Sequence, residues 1–198
     1  MEAIERVFVR LADAGLLLQQ DRLVPSVVGI VTGESLKSSW WSHPKGRLIF
    51  GVLSELADHR DVLFTKLLAG KSTLVHRRLW PSLLGVATAR EAWQTRRLSP
   101  AARRVLRRID DGAAPKGVPG PVARELEARL LAVAREVHTA SGRHALELEA
   151  WSAWSRRARC RRATSLAAAR RALEQAARKL GAPLAALPWT DRSIHFER

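Results

Sequence analysis

The sequence predicts a mainly α-helical protein with one β-hairpin, followed by a C-terminal helical unit. Apolar residues recur at helical spacing along most of the 198-residue chain. Two β-rich runs flank a short glycine-containing loop at residues 69–71. Residues 110–121 contain three glycines and three prolines, a composition that sustains neither a helix nor a central strand. This linker therefore divides the chain into an N-terminal unit, residues 1–109, and a helical unit, residues 122–198.

Three stretches near the N-terminus carry apolar residues at the three- and four-residue spacing of a helix. Proline in the first turn and glycine after the last turn mark the ends of the second one. The predicted helices span residues 2–19, 25–32 and 44–58, and Ser42 is the candidate N-cap of the third.

The next segment is the one convincing strand signal of the chain. Residues 62–68 and 72–79 flank Ala69-Gly70-Lys71, which predicts a hairpin. Helix, short helix, helix and hairpin is the element order of a winged helix, so we interpret residues 1–109 as a winged-helix-like unit. In that motif the third helix enters the major groove and the hairpin, or wing, follows the DNA backbone. The third helix here has few base-reading side chains, so the pattern does not favour a sequence-specific repressor.

Helical patterns continue to the end of the chain. A helix is predicted from Pro81, and another follows the N-cap and first-turn pair Ser99-Pro100. Beyond the linker, apolar spacing predicts helix over residues 122–137 and again over 144–154. A last helix spans residues 165–179.

The charge balance points to a polyanionic partner. The chain holds 34 Lys and Arg against 19 Asp and Glu, a net charge of +15. The codon bias of a GC-rich genome explains why arginine outnumbers lysine, but it explains the positive sign of the net charge less easily. One cysteine excludes an intramolecular disulfide framework and a cysteine-based zinc site within one chain. The chain has neither an 18-residue apolar run nor a basic signal-peptide start, so we expect a cytoplasmic protein without membrane association.

The most unusual motif is Lys37-Ser38-Ser39-Trp40-Trp41-Ser42-His43. Two adjacent tryptophans in an extended segment cannot both face the same core, so one of them is expected to be exposed. We predict that Trp40 is the anchor and Trp41 the exposed ring. Aromatic faces beside cations stack on unpaired bases, which favours a contact with nucleic acid.

Two segments of the chain carry a resemblance. The chain resembles an uncharacterised bacterial protein family in the sequence of two segments. They are residues 39–44, Ser-Trp-Trp-Ser-His-Pro, and residues 75–81, Val-His-Arg-Arg-Leu-Trp-Pro. The resemblance would cover most of the chain. It implies no activity and assigns no site residue.

The residues predicted to contact nucleic acid are cations and aromatic or imidazole side chains near them. They are Lys37, Trp41, His43, Lys45, Lys66, Lys71, His76, Arg77, Arg78, Arg103, Arg107, Arg156 and Arg157. The arginine run around Arg157 also surrounds Cys160, whose pKa the neighbouring cations are expected to lower.

Neither a cofactor nor a metal site is predicted. Gly70-Lys71-Ser72-Thr73 resembles the end of a phosphate-binding P-loop, but Thr65 stands where the motif needs its first glycine, and a strand follows. His138 and His144 are six residues apart, which does not place both on one face of an ideal helix.

The leading functional hypothesis is a DNA-binding protein that acts on DNA structure or damage. Whether the protein is an enzyme stays open. The first alternative is a DNA-repair enzyme, a glycosylase or an abasic-site lyase. Lys37 and Lys66 are its candidate amines and Glu34 its candidate carboxylate, because lyase chemistry needs a nucleophilic lysine near a group that polarises water. The second alternative is an RNA-binding or protein-interacting helical scaffold. The sequence does not predict the oligomeric state.

Overall fold

Helices form most of the protein and surround two small antiparallel sheets. The computed structural model describes residues 2–138 and 144–190, with side chains for residues 2–135 and 146–190. The helices are α1 (Ala3–Ala14), α2 (Val27–Thr32), α3 (Gly46–Asp58), α4 (Trp80–Ala87), α5 (Ala92–Thr95), α6 (Pro100–Asp110), α7 (Gly120–Ala128), α8 (Trp151–Arg157) and α9 (Leu166–Leu180). The strands are β1 (Leu16–Leu18), β2 (Val62–Lys66), β3 (Ser72–His76), β4 (Val133–His138) and β5 (His144–Glu149). The predicted mainly α-helical class is confirmed.

The first sheet has the strand order β1-β3-β2 and is antiparallel throughout. The prediction that helix continues to residue 19 is wrong, because α1 ends where Gly15 adopts a left-handed φ of +84°. A Cβ at this position would lie 2.7 Å from the Leu79 side chain, so the close approach also requires glycine. Leu16–Leu18 then pairs with β3, and all three leucines are buried.

The hairpin prediction is confirmed, with Leu63 opposite Val75 and Thr65 opposite Thr73. The short helix α2 is capped by the Ser26 side chain and ends at Gly33, close to the predicted bounds. The third helix starts at Gly46 rather than near residue 44, and its N-cap is Lys45 instead of Ser42. Ser42 belongs to a separate 3-10 turn, Trp40–Ser42.

Two predicted helices of the C-terminal part are wrong over much of their length, since only residues 122–128 of the first and 151–154 of the second are helical. Helix α7 ends at Ala128, and residues 133–138 and 144–149 form a strand pair with Val133 opposite Glu149. The helix ends where Leu130 adopts a left-handed φ of +51°, and the amides of Leu130 and Leu131 donate back to the carbonyl oxygens of Glu127 and Leu126. The alternation of apolar and charged residues over Leu146–Glu149 is a strand signal that competed with the helical spacing.

The hydrophobic core crosses the proposed linker. One buried cluster contains Leu11 and Leu74 from the first part and Trp154 and Leu173 from the second, and α9 packs on α4. A smaller cluster joins α6, α7 and β5. Part of the linker is itself bound to β5, because the Leu148 amide donates to the Pro115 carbonyl. The division at residues 110–121 stays a prediction about domain boundaries.

Candidate nucleic-acid interface

Two stacked tryptophans occupy the turn before α3. Trp40 is 5% exposed and packs in the core, whereas Trp41 is 66% exposed. Their ring centroids lie 3.9 Å apart with an interplanar angle of 25°. The Phe50 ring on α3 lies 5.9 Å from that of Trp41. The buried ring therefore holds the exposed ring in a fixed orientation at the surface.

His43 and Lys45 fasten the loop that carries these tryptophans. The Lys45 backbone N–H donates to His43 Nδ1 at 3.1 Å, so the opposite nitrogen, Nε2, carries the proton and donates to Glu34 Oε1 at 3.1 Å. The Lys45 ammonium donates to the carbonyl oxygens of Val31 and Thr32 at 3.3 and 3.1 Å, which caps the C-terminus of α2. Both ring nitrogens of His43 are thus engaged within the protein.

A cleft of about 550 Å³ lies between this loop, the β1–α2 connection and the tip of the hairpin. Arg22, Lys37 and Lys71 line it together with Asp21. Lys71 Nζ donates to Asp21 Oδ2 at 2.6 Å. Burial works to raise the pKa of Asp21, but this bond and two backbone N–H donors outweigh it and hold the pKa below its usual value. The cleft thus carries a net positive charge.

The other cations of the hairpin contact oxygens of the protein itself. Lys66 Nζ donates to Ser72 Oγ at 2.6 Å, Arg77 Nη1 to Asp61 Oδ1 at 3.4 Å, and Arg78 Nη2 to the Asp13 carbonyl oxygen at 2.7 Å. One side of the hairpin end is covered, since Leu67 and Leu68 are buried and α7 packs against them, whereas Ala69, Gly70 and Lys71 at the tip are exposed. These side chains would have to exchange internal partners to bind a phosphate.

His76 is also engaged at the base of the hairpin. Its Nδ1 accepts the Arg78 backbone N–H at 3.4 Å, and its ring lies 5.8 Å from that of Phe8. Burial lowers the pKa of His76 and the Arg78 charge lowers it further, against a weaker opposing effect of Asp61. The lowered pKa favours the neutral ring, which makes His76 a weaker candidate for a phosphate contact than the arginines beside it.

Helix α6 presents a continuous arginine face. Its buried side, Ala102, Leu106 and Ile109, fixes the rotation of the helix. The four arginines on the opposite side are exposed: Arg103, Arg104, Arg107 and Arg108. Arg103 Nε donates to the Leu98 carbonyl oxygen at 3.0 Å. Across the residues whose side chains are described, 2–135 and 146–190, the side chains of the other three make no hydrogen bond or ion pair.

A second basic surface follows α8. Arg157 forms an ion pair with Glu149, whereas Arg156 is exposed and has no such partner in the described part of the chain. Burial raises the pKa of Cys160, and the charge of Arg77 opposes this only in part. The expectation of a lowered pKa is therefore wrong, because desolvation of the thiolate outweighs the nearby cation.

The three candidate catalytic residues have different surroundings. Glu34 contacts His43, Lys66 contacts the Ser72 hydroxyl, and Lys37 lines the cleft beside Lys71. Among the described residues, no group of three or more His, Cys, Asp or Glu side chains could hold a metal ion. The side chains of His138 and His144 lie outside the described residues.

Helical spacing in the sequence places Arg103, Arg104, Arg107 and Arg108 on one face of α6, although only Arg103 and Arg107 are among the predicted contacts. Arg22 was missed because its position in the cleft depends on the tertiary fold. In the described ranges, no helix is long and apolar enough to cross a bilayer. The chain matches no protein-family model, no curated protein and no solved structure.

Proposed function

We propose that the protein binds DNA through the phosphate backbone and that the arginine face of α6 is its principal contact. One observation carries the proposal: Arg104, Arg107 and Arg108 are exposed on a helix whose rotation is fixed, and none has a partner among the described residues. Arginine stays charged at any physiological pH and matches phosphate geometry with paired N–H donors. The net charge of +15 supports an anionic partner of this kind.

The N-terminal part is proposed to be a winged-helix-like module that serves as a scaffold. The element order α1-β1-α2-α3-β2-β3 and the sheet order β1-β3-β2 support this assignment. The outer face of α3 has one cation, Arg47, and two acids, Glu55 and Asp58, a combination poorly suited to reading bases along a groove. Backbone contacts from α6 fit the distribution of charge better than groove reading by α3.

Trp41 is proposed as the contact that distinguishes unpaired bases from duplex DNA. Its ring is mostly exposed and is held by the stack on Trp40. A base that stacks on an aromatic ring gains about 1–3 kcal/mol, and any base can do so. A protein with a phosphate-binding face and such a ring would prefer damaged or unwound DNA to intact duplex.

The experiment compares two variants with equal loss of charge. Arg104→Ala/Arg107→Ala removes two cations from α6, and Arg171→Ala/Arg178→Ala removes two exposed cations from α9. DNA affinity is measured by fluorescence anisotropy over a salt series. We expect the α6 variant to flatten the log–log salt slope by about 0.9 for each duplex phosphate that is no longer neutralised, and the α9 variant to change it little. Equal effects of both variants, or affinity independent of salt, would contradict the proposal.

The enzyme alternative has its own readout. Borohydride reduction in the presence of an abasic oligonucleotide traps a lysine that forms a Schiff base with the sugar aldehyde. If the original protein is trapped and the Lys37→Ala variant is not, the protein is a lyase and the proposal of binding alone is wrong. Salt-sensitive binding without trapping supports the binding proposal.

A further inference from the structure

A shallow groove runs between α1 and α3, on a different side of α3 from Phe50 and Trp41. It encloses about 550 Å³, and Ile4, Leu48 and Val52 give it apolar walls. Arg47 and Glu55 line it as well, with Gly51 between them along the helix. Leu48 is 48% exposed, so the groove presents part of this apolar side chain to solvent.

Gly51 is the unexpected residue of this groove. It lies in the middle of α3, where glycine costs about 1 kcal/mol relative to alanine. A Cβ added at Gly51 would meet no atom within 4 Å, so packing within the chain does not require glycine. The missing side chain leaves a notch in the ridge formed by positions 47, 51 and 55, through which another backbone can approach closely.

The charges on either side of the notch are complementary to each other. Arg47 and Glu55 lie four residues before and after Gly51 and therefore on the same face of α3. Neither has an ion-pair partner among the residues whose side chains are described, 2–135 and 146–190. By contrast, carboxylates close to the hairpin form ion pairs within the chain, as Asp13, Asp21 and Asp61 do.

We propose that this face binds a second copy of the chain, with two α3 helices crossing antiparallel at Gly51. A two-fold axis at the notch places Arg47 of each copy opposite Glu55 of the other, so one surface supplies both ion pairs. Packing of such ridges is the commonest helix–helix arrangement in globular proteins. Leu48 of each copy would be covered near the crossing. The arrangement leaves Trp41 and α6 accessible, so a dimer would present two DNA-binding faces.

The test reverses the two charges separately. Sedimentation equilibrium of the full chain over a range of concentrations gives the dimer dissociation constant. Arg47→Glu sets two acids against each other at both contacts, and Glu55→Arg sets two cations against each other. We expect each variant to raise the dissociation constant about tenfold or more, since two exposed ion pairs are replaced by two repulsions. Both residues are exposed, and thermal unfolding checks that each variant is folded.

Mixing the two variants gives the decisive measurement. In the mixed dimer, position 47 of each chain faces an opposite charge at position 55 of the other, so association should recover to near the original affinity. Arg178→Glu and Asp111→Arg are the matched controls, because both residues are exposed and neither lines the groove. A wild-type chain that stays monomeric, single variants that associate normally, or a mixture that does not recover would each overturn the proposal.

Discussion

Trp41 stacks on Trp40 at a centroid distance of 3.9 Å, although one ring is exposed and the other is buried. Adjacent residues rarely present parallel faces to each other, and here the 3-10 turn Trp40–Ser42 allows it. The stack connects the hydrophobic core directly to the surface. The two rings can therefore be tested separately: Trp40 contributes to the core, and Trp41 is the proposed contact with bases.

Alanine substitutions should separate these contributions. Trp40→Ala removes a buried ring and should lower the free energy of unfolding by about 3–5 kcal/mol. Trp41→Ala loses only the stacking interactions with Trp40 and Phe50, about 0.5–1.5 kcal/mol each. We expect Trp41→Ala to weaken binding to single-stranded DNA more than binding to duplex. Chemical denaturation and anisotropy with both DNA forms measure the two effects. An unchanged preference between the two forms would remove Trp41 from the proposed interface.

Local patterns in the sequence predicted the elements whose signals are local. The hairpin was predictable because two β-rich runs flank Gly70, and the arginine face of α6 followed from helical spacing behind Ser99. Strand β1 was not predictable from the sequence, because Leu16–Leu18 shows no alternation of apolar and polar residues and pairs with residues more than fifty positions away. The sequence also did not predict which oxygens the cations of the hairpin contact. Lys71 meets Asp21 and Arg78 meets the Asp13 carbonyl only because the fold brings distant segments together.

Gly51 gives a stability prediction that is separate from the dimer. Gly51→Ala should raise the free energy of unfolding by about 1 kcal/mol at dilute protein concentration, because alanine favours helix and its Cβ meets no neighbour within 4 Å. Gly46→Ala is the matched comparison in the same helix. Its Cβ would lie 3.2 Å from the Trp41 carbonyl oxygen, so we expect a smaller gain or a loss. Thermal unfolding measures both. A loss of stability for Gly51→Ala would mean that this helix position is not open in solution.

Arg129 and Gln94 bind each other's backbone carbonyls in the interior. Arg129 Nη1 donates to the carbonyl oxygens of Trp93, Gln94 and Arg96 at 2.9, 3.4 and 2.7 Å. Gln94 Nε2 donates to the carbonyl oxygens of Ala87 and Arg129 at 3.0 and 3.2 Å. These bonds fix the point where the chain leaves α7 and turns into β4.

Substitution of Arg129 should therefore be costly. Arg129→Met keeps the apolar stem but leaves three carbonyl oxygens without their donor, and we expect a loss of about 3 kcal/mol or more. Gln94→Leu should cost a similar amount. Because the two side chains serve one network, the double variant should lose less than the sum of the single losses. Denaturant unfolding of the four proteins gives this coupling, and additive losses would show that the two sets of bonds act independently.

Glu127 gives a prediction about pH. The residue is buried on α7, and burial raises the pKa of its carboxyl despite the nearby charge of Lys66. A folded-state pKa above the unfolded value means that the folded protein holds this proton more tightly. The contribution to stability is therefore fully present below the unfolded pKa and is lost as the pH rises through the folded pKa. Above that pH the charged carboxylate destabilises the fold.

Glu127→Gln should stabilise the protein at neutral pH, because the amide resembles the protonated carboxyl and cannot ionise. We expect the melting temperature of the variant to exceed that of the original protein at about pH 7, and the difference to shrink toward zero at about pH 4. Glu5→Gln removes the same charge from an exposed position on α1 and should give no gain at either pH. A gain that persists at acid pH, or one that Glu5→Gln matches, would attribute the effect to net charge instead of the buried carboxylate. A loss at neutral pH would mean that the attraction between ionised Glu127 and Lys66 outweighs the cost of burial.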